Sequence, residues 1–279
     1  MSLQDAAILL GGRVDEATGV LTIDLLTRNY GRRRGQLEDG ADETFLERGC
    51  RLEVELDATD STDASTFVVD TVTHTTGNSQ DADTEELVMS ALKAVADVLI
   101  PQNEPCPELY DATQDVLQAL AGANARWPIV YALWEFELLK SLGLINDLNR
   151  CRPAYRHGEQ IYHSPRRNKF FTRTEAGAFL DKVVPVPGFL IGGKNATVIQ
   201  VKQALELSKH IMLRHALPDT TDPEMMTKRD AVVEHVSTLT SIPRIEKPVK
   251  SYVADDADIK RRLLATRPLT VSYSITASR

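Results

Sequence analysis

Trp127–Cys151, WPIVYALWEFELLKSLGLINDLNRC, is the stretch whose reading decides the fold. From Ile129 to Leu139 only Glu135 and Glu137 interrupt the apolar run, so no polar face survives at helical spacing. A helix of this kind is expected to be enclosed by other helices. Pro128 fits a first helical turn, where a missing N–H costs nothing, and Gly143 suits a left-handed stop. Carrying Glu135, Glu137 and Lys140, the segment is too short and too charged to span a bilayer.

Upstream, two more helices are expected. In residues 86–100, Leu87, Ala91, Val95 and Val98 or Leu99 recur at helical spacing, with Asp83 or Thr84 as the cap. Residues 107–122 supply another, stopped at Gly122, and short connections between three helices point to an antiparallel bundle. The polar run TGNSQDADTEE (76–86) is a natural boundary. Before it lie β-prone runs at 5–12, 20–27, 51–56 and 67–73, and the turn Asn29-Tyr30-Gly31 opens a further strand from Arg32. Five short strands fit a small closed barrel, of OB or SH3-like type.

Downstream, residues 152–174 read as a β-hairpin with a His157-Gly158 turn, and VVPVPGFLIGG (183–193) as a Pro- and Gly-rich loop. An amphipathic helix with Val198, Val201, Leu205 and Ile211 on one face follows, then one more helix over 227–240. Residues 241–279 have prolines, mixed charge and little apolar density, which predicts a flexible tail. The expected class is therefore α+β and multi-domain: a barrel over 1–78, a helical domain over 79–240 with the hairpin inserted, and the tail.

The chain has 279 residues and a net charge of −8, unfavourable for a polyanion binder. Residues 1–80 hold 7 Lys+Arg against 15 Asp+Glu, so the whole acidic excess belongs to the N-terminal part. Cys50, Cys106 and Cys151 stand far apart, which argues against disulfides and thiolate zinc sites. His157 and His163 lack a third ligand and read as solvated loop residues, and His210 and His215 as helix-end residues. No G-x-S-x-G, P-loop or H-E-x-x-H occurs, so no enzyme, metal or cofactor is expected. The N-terminal residues lack a basic leader, from which a cytoplasmic location is expected.

Two basic clusters remain. Arg28, Arg32, Arg33 and Arg34 bracket a turn around Tyr30, which suits phosphates and a stacked base, or else a solvated turn. The acids Glu38, Asp39, Asp42, Glu43 and Glu47 follow at once and oppose phosphate binding. From Arg150 to Phe179 there are seven Lys+Arg and two acids. Arg166, Arg167, Lys169 and Arg173 alternate there with Tyr155, Tyr162, Phe170 and Phe171, as a single strand, an acidic peptide or an aromatic mini-core requires.

These pieces carry a resemblance. FELLKSLG followed by L-x-x-C, the upstream NEPCPELYDATQDVLQAL, the downstream YHSPRRNKFFTRTEAGAF and the N-terminal LLTRNYGRRRG resemble the bacterial recombination mediator family RecO over roughly residues 5–215. The family's Thr-Arg-x-x-Gly-Arg-x-Arg-Gly pattern is matched by Thr27, Arg28, Gly31, Arg32, Arg34 and Gly35. The resemblance implies an OB-fold barrel and a nucleoid-associated DNA repair protein that binds single-stranded DNA and anneals complementary strands. It further implies that, with RecR, the protein helps load RecA onto DNA coated by single-stranded DNA-binding protein (SSB). Many members carry a zinc-finger-like cysteine cluster in the insertion, of which only Cys151 remains here, so no zinc is expected. Where the family carries a basic residue for the acidic SSB tail, this chain has Glu135. That contact is then moved to residues such as Arg166, Lys209 and Arg214, or lost. The rival expectation is a protein–protein adaptor on the same scaffold.

Overall fold

A computed structural model describes residues 2–14, 21–37, 48–57, 65–73, 81–122, 126–193, 196–217 and 223–242. It is a mixed α/β structure, an N-terminal, largely antiparallel sheet followed by a helical region. The sheet comprises β1 (Ser2–Val14), β2 (Leu21–Thr27), β3 (Gly31–Leu37), β4 (Arg51–Asp57) and β5 (Ser65–Thr73). The strands pair in the order β1-β2-β3-β5-β4, β4 also pairs with β1, and only β3 with β5 is parallel, so the hydrogen-bonded circuit closes as a barrel. Side chains alternate between the two faces of a strand, and β2 uses both. Ile23 and Leu25 join Ala7, Leu9, Leu52 and Val54 in one apolar cluster, whereas Leu26 joins Ile8 and Leu10 in the cluster that runs through the helices. Asp24 lies on the same face as Leu26. The outer face of this corner of the sheet is thus an interface with the helical region.

That region contains α1 (Ala82–Leu99), α2 (Pro107–Ala121), α3 (Trp127–Ser141) and α4 (Arg152–Arg156). The hairpin β6 (Ile161–Ser164) and β7 (Lys169–Thr172), then α5 (Arg173–Ala176), β8 (Val184–Pro185), α6 (Val198–Ile211) and α7 (Pro223–Thr238) follow. Every residue of α3 from Trp127 to Leu139 is buried, as its unbroken apolar run requires. Trp134 Nε1 donates to Thr113 Oγ1 of α2 at 2.9 Å. Gly143 takes a left-handed φ of +75° and lets Leu144 N–H reach Leu139 O at 2.9 Å, closing the helix where the sequence places its stop. The cap of α1 is Asp81, not Asp83 or Thr84: its carboxylate accepts from Thr84 N–H at 3.0 Å.

Three further expectations are corrected. The hairpin turn is Pro165–Asn168, with Asn168 at φ +48°, whereas His157-Gly158 only ends α4. Residues 183–193 are more than a loop. Val184–Pro185 pair with β6, and Val186, Phe189, Leu190 and Ile191 are buried in the main core. His163 is no solvated residue; it is fully buried, packs on Phe170 at 4.8 Å between ring centroids, and shares a 3.0 Å hydrogen bond with Asn168. Burial pushes its pKa below the ordinary histidine value. The acids Glu38, Asp39, Asp42, Glu43 and Glu47, and the tail beyond Ile242, lie outside the described residues.

Candidate nucleic-acid interface

The arginines of the N-terminal cluster divide by strand alternation. Arg32 and Arg34 share the outer face of β3 with their register partners Leu26 and Asp24 on β2, while Arg33 pairs with Leu25. Arg32 is only 3% exposed. Its Nη1 donates to the carbonyls of Ala96 (2.9 Å) and Asp97 (2.8 Å), and its Nη2 lies 3.2 Å from the Asp97 carboxylate. It therefore satisfies the C-terminal carbonyls of α1, where a cation also complements the helix dipole. Arg34 grips Asp24 with two hydrogen bonds, at 2.9 and 3.2 Å. Lys93 of α1 bridges Asp24 (3.1 Å) and Asp97 (2.9 Å). Burial alone would raise the Asp24 pKa; bonding and attraction from Arg34 and Lys93 outweigh it and hold the carboxyl below its usual 3.8.

The rest of the motif serves the same junction. Thr27 Oγ1 donates to Gly31 O at 2.7 Å. Gly31 adopts φ +73°, and a Cβ there would stand 1.9 Å from Glu104 O in the connection between α1 and α2. Asn103 N–H donates to Arg32 O at 2.9 Å along that connection. Arg28 meets Asp111 of α2 at 3.0 Å with both side chains well exposed. Tyr30 is half-buried against the inner barrel cluster, so its ring is not laid out as a stacking platform. Arg33 is half-buried and makes no ion pair among the described residues. Within this cluster Arg32 is buried at the sheet–helix junction, whereas Arg34, its side chain 44% exposed, is engaged by Asp24.

The second cluster has the opposite character. The turn Pro165–Asn168 carries Arg166 and Arg167 at its tip, and both are exposed, as are Lys169 and Arg173. None of these four makes an ion pair among the described residues. Along β7 the alternation sends Phe170 fully inward and leaves Phe171 half-exposed. A hollow of about 230 Å³ opens beside the turn, lined by Arg166, Arg167, Phe171, Phe179 and Lys182 among others. Phe179 is 55% exposed, and Lys182 Nζ stands 5.9 Å from the centre of its ring. Glu175 also lines the hollow; the Thr172 backbone N–H and the Arg150 guanidinium hold its carboxyl below the usual range. Phe179 and Lys182 were not legible as site residues, since nothing in GAFLDK except an apolar ring among polar neighbours hints at exposure.

Of the expected partner residues, Arg214 is exposed and Lys209 is tied to Asp230 at 2.6 Å. Glu135 presents no charge at the surface. It is fully buried, with Arg229 Nε of α7 at 2.8 Å in close ionic contact and Arg229 Nη2 and Ser208 Oγ as hydrogen-bond donors. The position at which the family resemblance places a tail contact is therefore not a surface one in this chain. A larger groove, about 550 Å³, lies between β8 and α6 and is lined by Val184, Pro185, Ile199, Lys202, Glu206 and His210 among others. Among the described residues, no group of three or more His, Cys, Asp or Glu is placed to hold a metal, and no helix is long and apolar enough to cross a membrane.

Residues 87–219, the helical region with its hairpin, match the family model described as Recombination protein O C terminal. A sheet-bearing N-terminal part joined to a C-terminal domain of that type is the class of protein that fold and match define. Proteins named DNA repair protein RecO from Cereibacter sphaeroides, a Caulobacter strain and Rhodospirillum centenum are each 28% identical to the chain, over 216, 219 and 220 residues. The alignments cover 75–77% of this chain and 87–88% of those proteins. Over most of its length the chain is thus similar to proteins of the RecO family.

Proposed function

We propose that this protein acts in DNA repair as a RecO-type mediator. In this reading it binds single-stranded DNA, anneals complementary strands and, with RecR, assists loading of RecA onto DNA coated by SSB, without turnover chemistry. The names of its relatives support the repair role. One observation carries the DNA contact: Arg166, Arg167, Lys169 and Arg173 stand exposed and unpaired among the described residues on one hairpin, beside the exposed ring of Phe179. Phosphate binding needs cations that are free to displace counterions, and here they are found together. The barrel arginines contribute less, because Asp24, Asp97 and Asp111 already hold three of them.

The same reading takes the N-terminal barrel as an OB fold over residues 1–78, the helical domain as 79–240, and the cytoplasm, at the nucleoid, as the place of action. The acidic SSB tail is assigned to the helical domain. Arg214 is exposed there, and the groove beside α6 offers apolar walls with Lys202 at its edge. The test is fluorescence anisotropy of labelled single-stranded DNA across a salt series. Each removed phosphate contact lowers the log–log salt slope by about 0.7. Arg166→Glu with Arg167→Glu is expected to weaken binding and flatten that slope; an unchanged series sinks the hairpin site. The adaptor reading draws on the committed barrel arginines. It predicts that RecR and the SSB tail are captured equally well by the parent chain and by the double Glu variant, with no DNA bound by either.

A further inference from the structure

We propose that the hollow between Phe171 and Phe179 is a seat for one unpaired base, a deeper claim that rests on the single-strand reading above. Neither aromatic ring belongs to the two apolar clusters of the fold, so neither contributes to the core. Both line one hollow of about 230 Å³, together with Ala176 and Val183. That volume lies below the range of about 300–1,000 Å³ used by drug-sized ligands. It has room for a single planar ring system and not for a folded segment. Single exposed apolar residues are ordinary on a protein surface. What sets Phe179 apart is its setting, with Arg166, Arg167 and Lys182 on the same rim and the one lining acid, Glu175, already held by Arg150 and the Thr172 backbone.

A nucleotide matches this arrangement in both of its parts. Its base offers a flat face to a ring, and its phosphates meet the rim cations. Bases of a duplex are stacked on one another and cannot enter, so single-strand selectivity resides in Phe179 while the salt dependence resides in the arginines. An acidic peptide would use the cations and leave the rings idle.

The experiment uses the full chain with a thymidine oligonucleotide carrying one 2-aminopurine, whose fluorescence falls when it stacks. Quenching is expected on binding. Phe179→Ala, at an exposed position that does not support the core, should abolish the quench and weaken affinity by about ten-fold, with the salt slope unchanged. Phe179→Trp should retain both. Arg166→Ala with Arg167→Ala should flatten the slope by about 0.7 per cation. If Phe179→Ala binds and quenches like the parent while the arginine variant loses its slope, the seat is overturned and the single-strand reading stands. If neither variant changes anything, both fall. If a Glu-rich peptide displaces the oligonucleotide and binds Phe179→Ala as well as the parent, the cations serve an acidic peptide and the seat is likewise overturned.

Discussion

Asp24 shows how a single carboxylate decides the role of a motif. Arg34 and Lys93 sit within 3.1 Å of it, and Arg32 at 3.7 Å. Asp24→Asn is expected to cost roughly 1–3 kcal/mol of stability at neutral pH, since it leaves partly buried cations without their acceptor. The folded pKa lies below 3.8, so this contribution is fully present above that value and is lost as pH falls through the lowered one. Chemical denaturation of parent and variant should therefore converge only as pH falls through that lowered pKa, and a difference that persists in strong acid would refute the role given to the Asp24 charge. Gly31→Ala tests the same junction sterically. The left-handed backbone alone costs roughly 1–2 kcal/mol, and the collision with Glu104 O adds to it. A variant as stable as the parent would show that the connection after α1 does not press on β3. The cluster itself was legible in the sequence, but its role was not. Three arginines in a row reveal charge without revealing which of them an adjacent helix will cover, and Arg32 owes its burial to carbonyls more than sixty residues away.

At the scale of elements, α3 and α7 make the instructive contrast. An apolar run with no polar face can only be an enclosed helix, and α3 is enclosed from Trp127 to Leu139. The two acids inside that run are where sequence reasoning stopped. Glu137 is satisfied locally by Lys140 at 2.7 Å, whereas Glu135 waits for Arg229, ninety-four residues on. Burial would lower the arginine's pKa, but attraction from Glu135 outweighs it and raises it. In α7, PEMMTKRDAVVEHVST, the apolar spacing is diluted by charges, one of which proves to be a core residue. The hairpin is likewise hidden in the sequence: His157-Gly158 resembles a turn, yet the reversal is made by Asn168 in a conformation that asparagine tolerates. Arg229→Ala should cost roughly 3–5 kcal/mol, because Glu135 is left as an unpaired buried charge. Replacing both members, Glu135→Leu with Arg229→Met, should recover most of that loss. Urea denaturation of the single and double variants is the check, and a double variant no more stable than Arg229→Ala would mean that α7 is held by its other contacts.

Across the whole molecule, positive charge falls into two populations with different work. Arg32, Arg34 and Lys93 are consumed in joining the sheet to α1; Arg166, Arg167, Lys169 and Arg173 are left facing solvent. The net charge of −8 conceals this, because it counts a buried, paired arginine and a free one alike. Only the free population can exchange counterions for phosphates, so stability and DNA affinity should be lost by different substitutions. Arg32→Ala removes donors from the last carbonyls of α1 and should lower stability by roughly 2–3 kcal/mol. Below its melting transition, that variant should retain the parent's single-strand affinity and salt slope. Arg166→Ala with Arg167→Ala should do the reverse, holding stability within about 0.5 kcal/mol, as is usual for exposed sites, while flattening the slope. Melting curves and anisotropy titrations on the same two preparations separate the cases. If Arg32→Ala, still folded, lost the salt-dependent part of binding, the strand would have to pass over the sheet–helix junction, and the division between joining and binding arginines would be wrong.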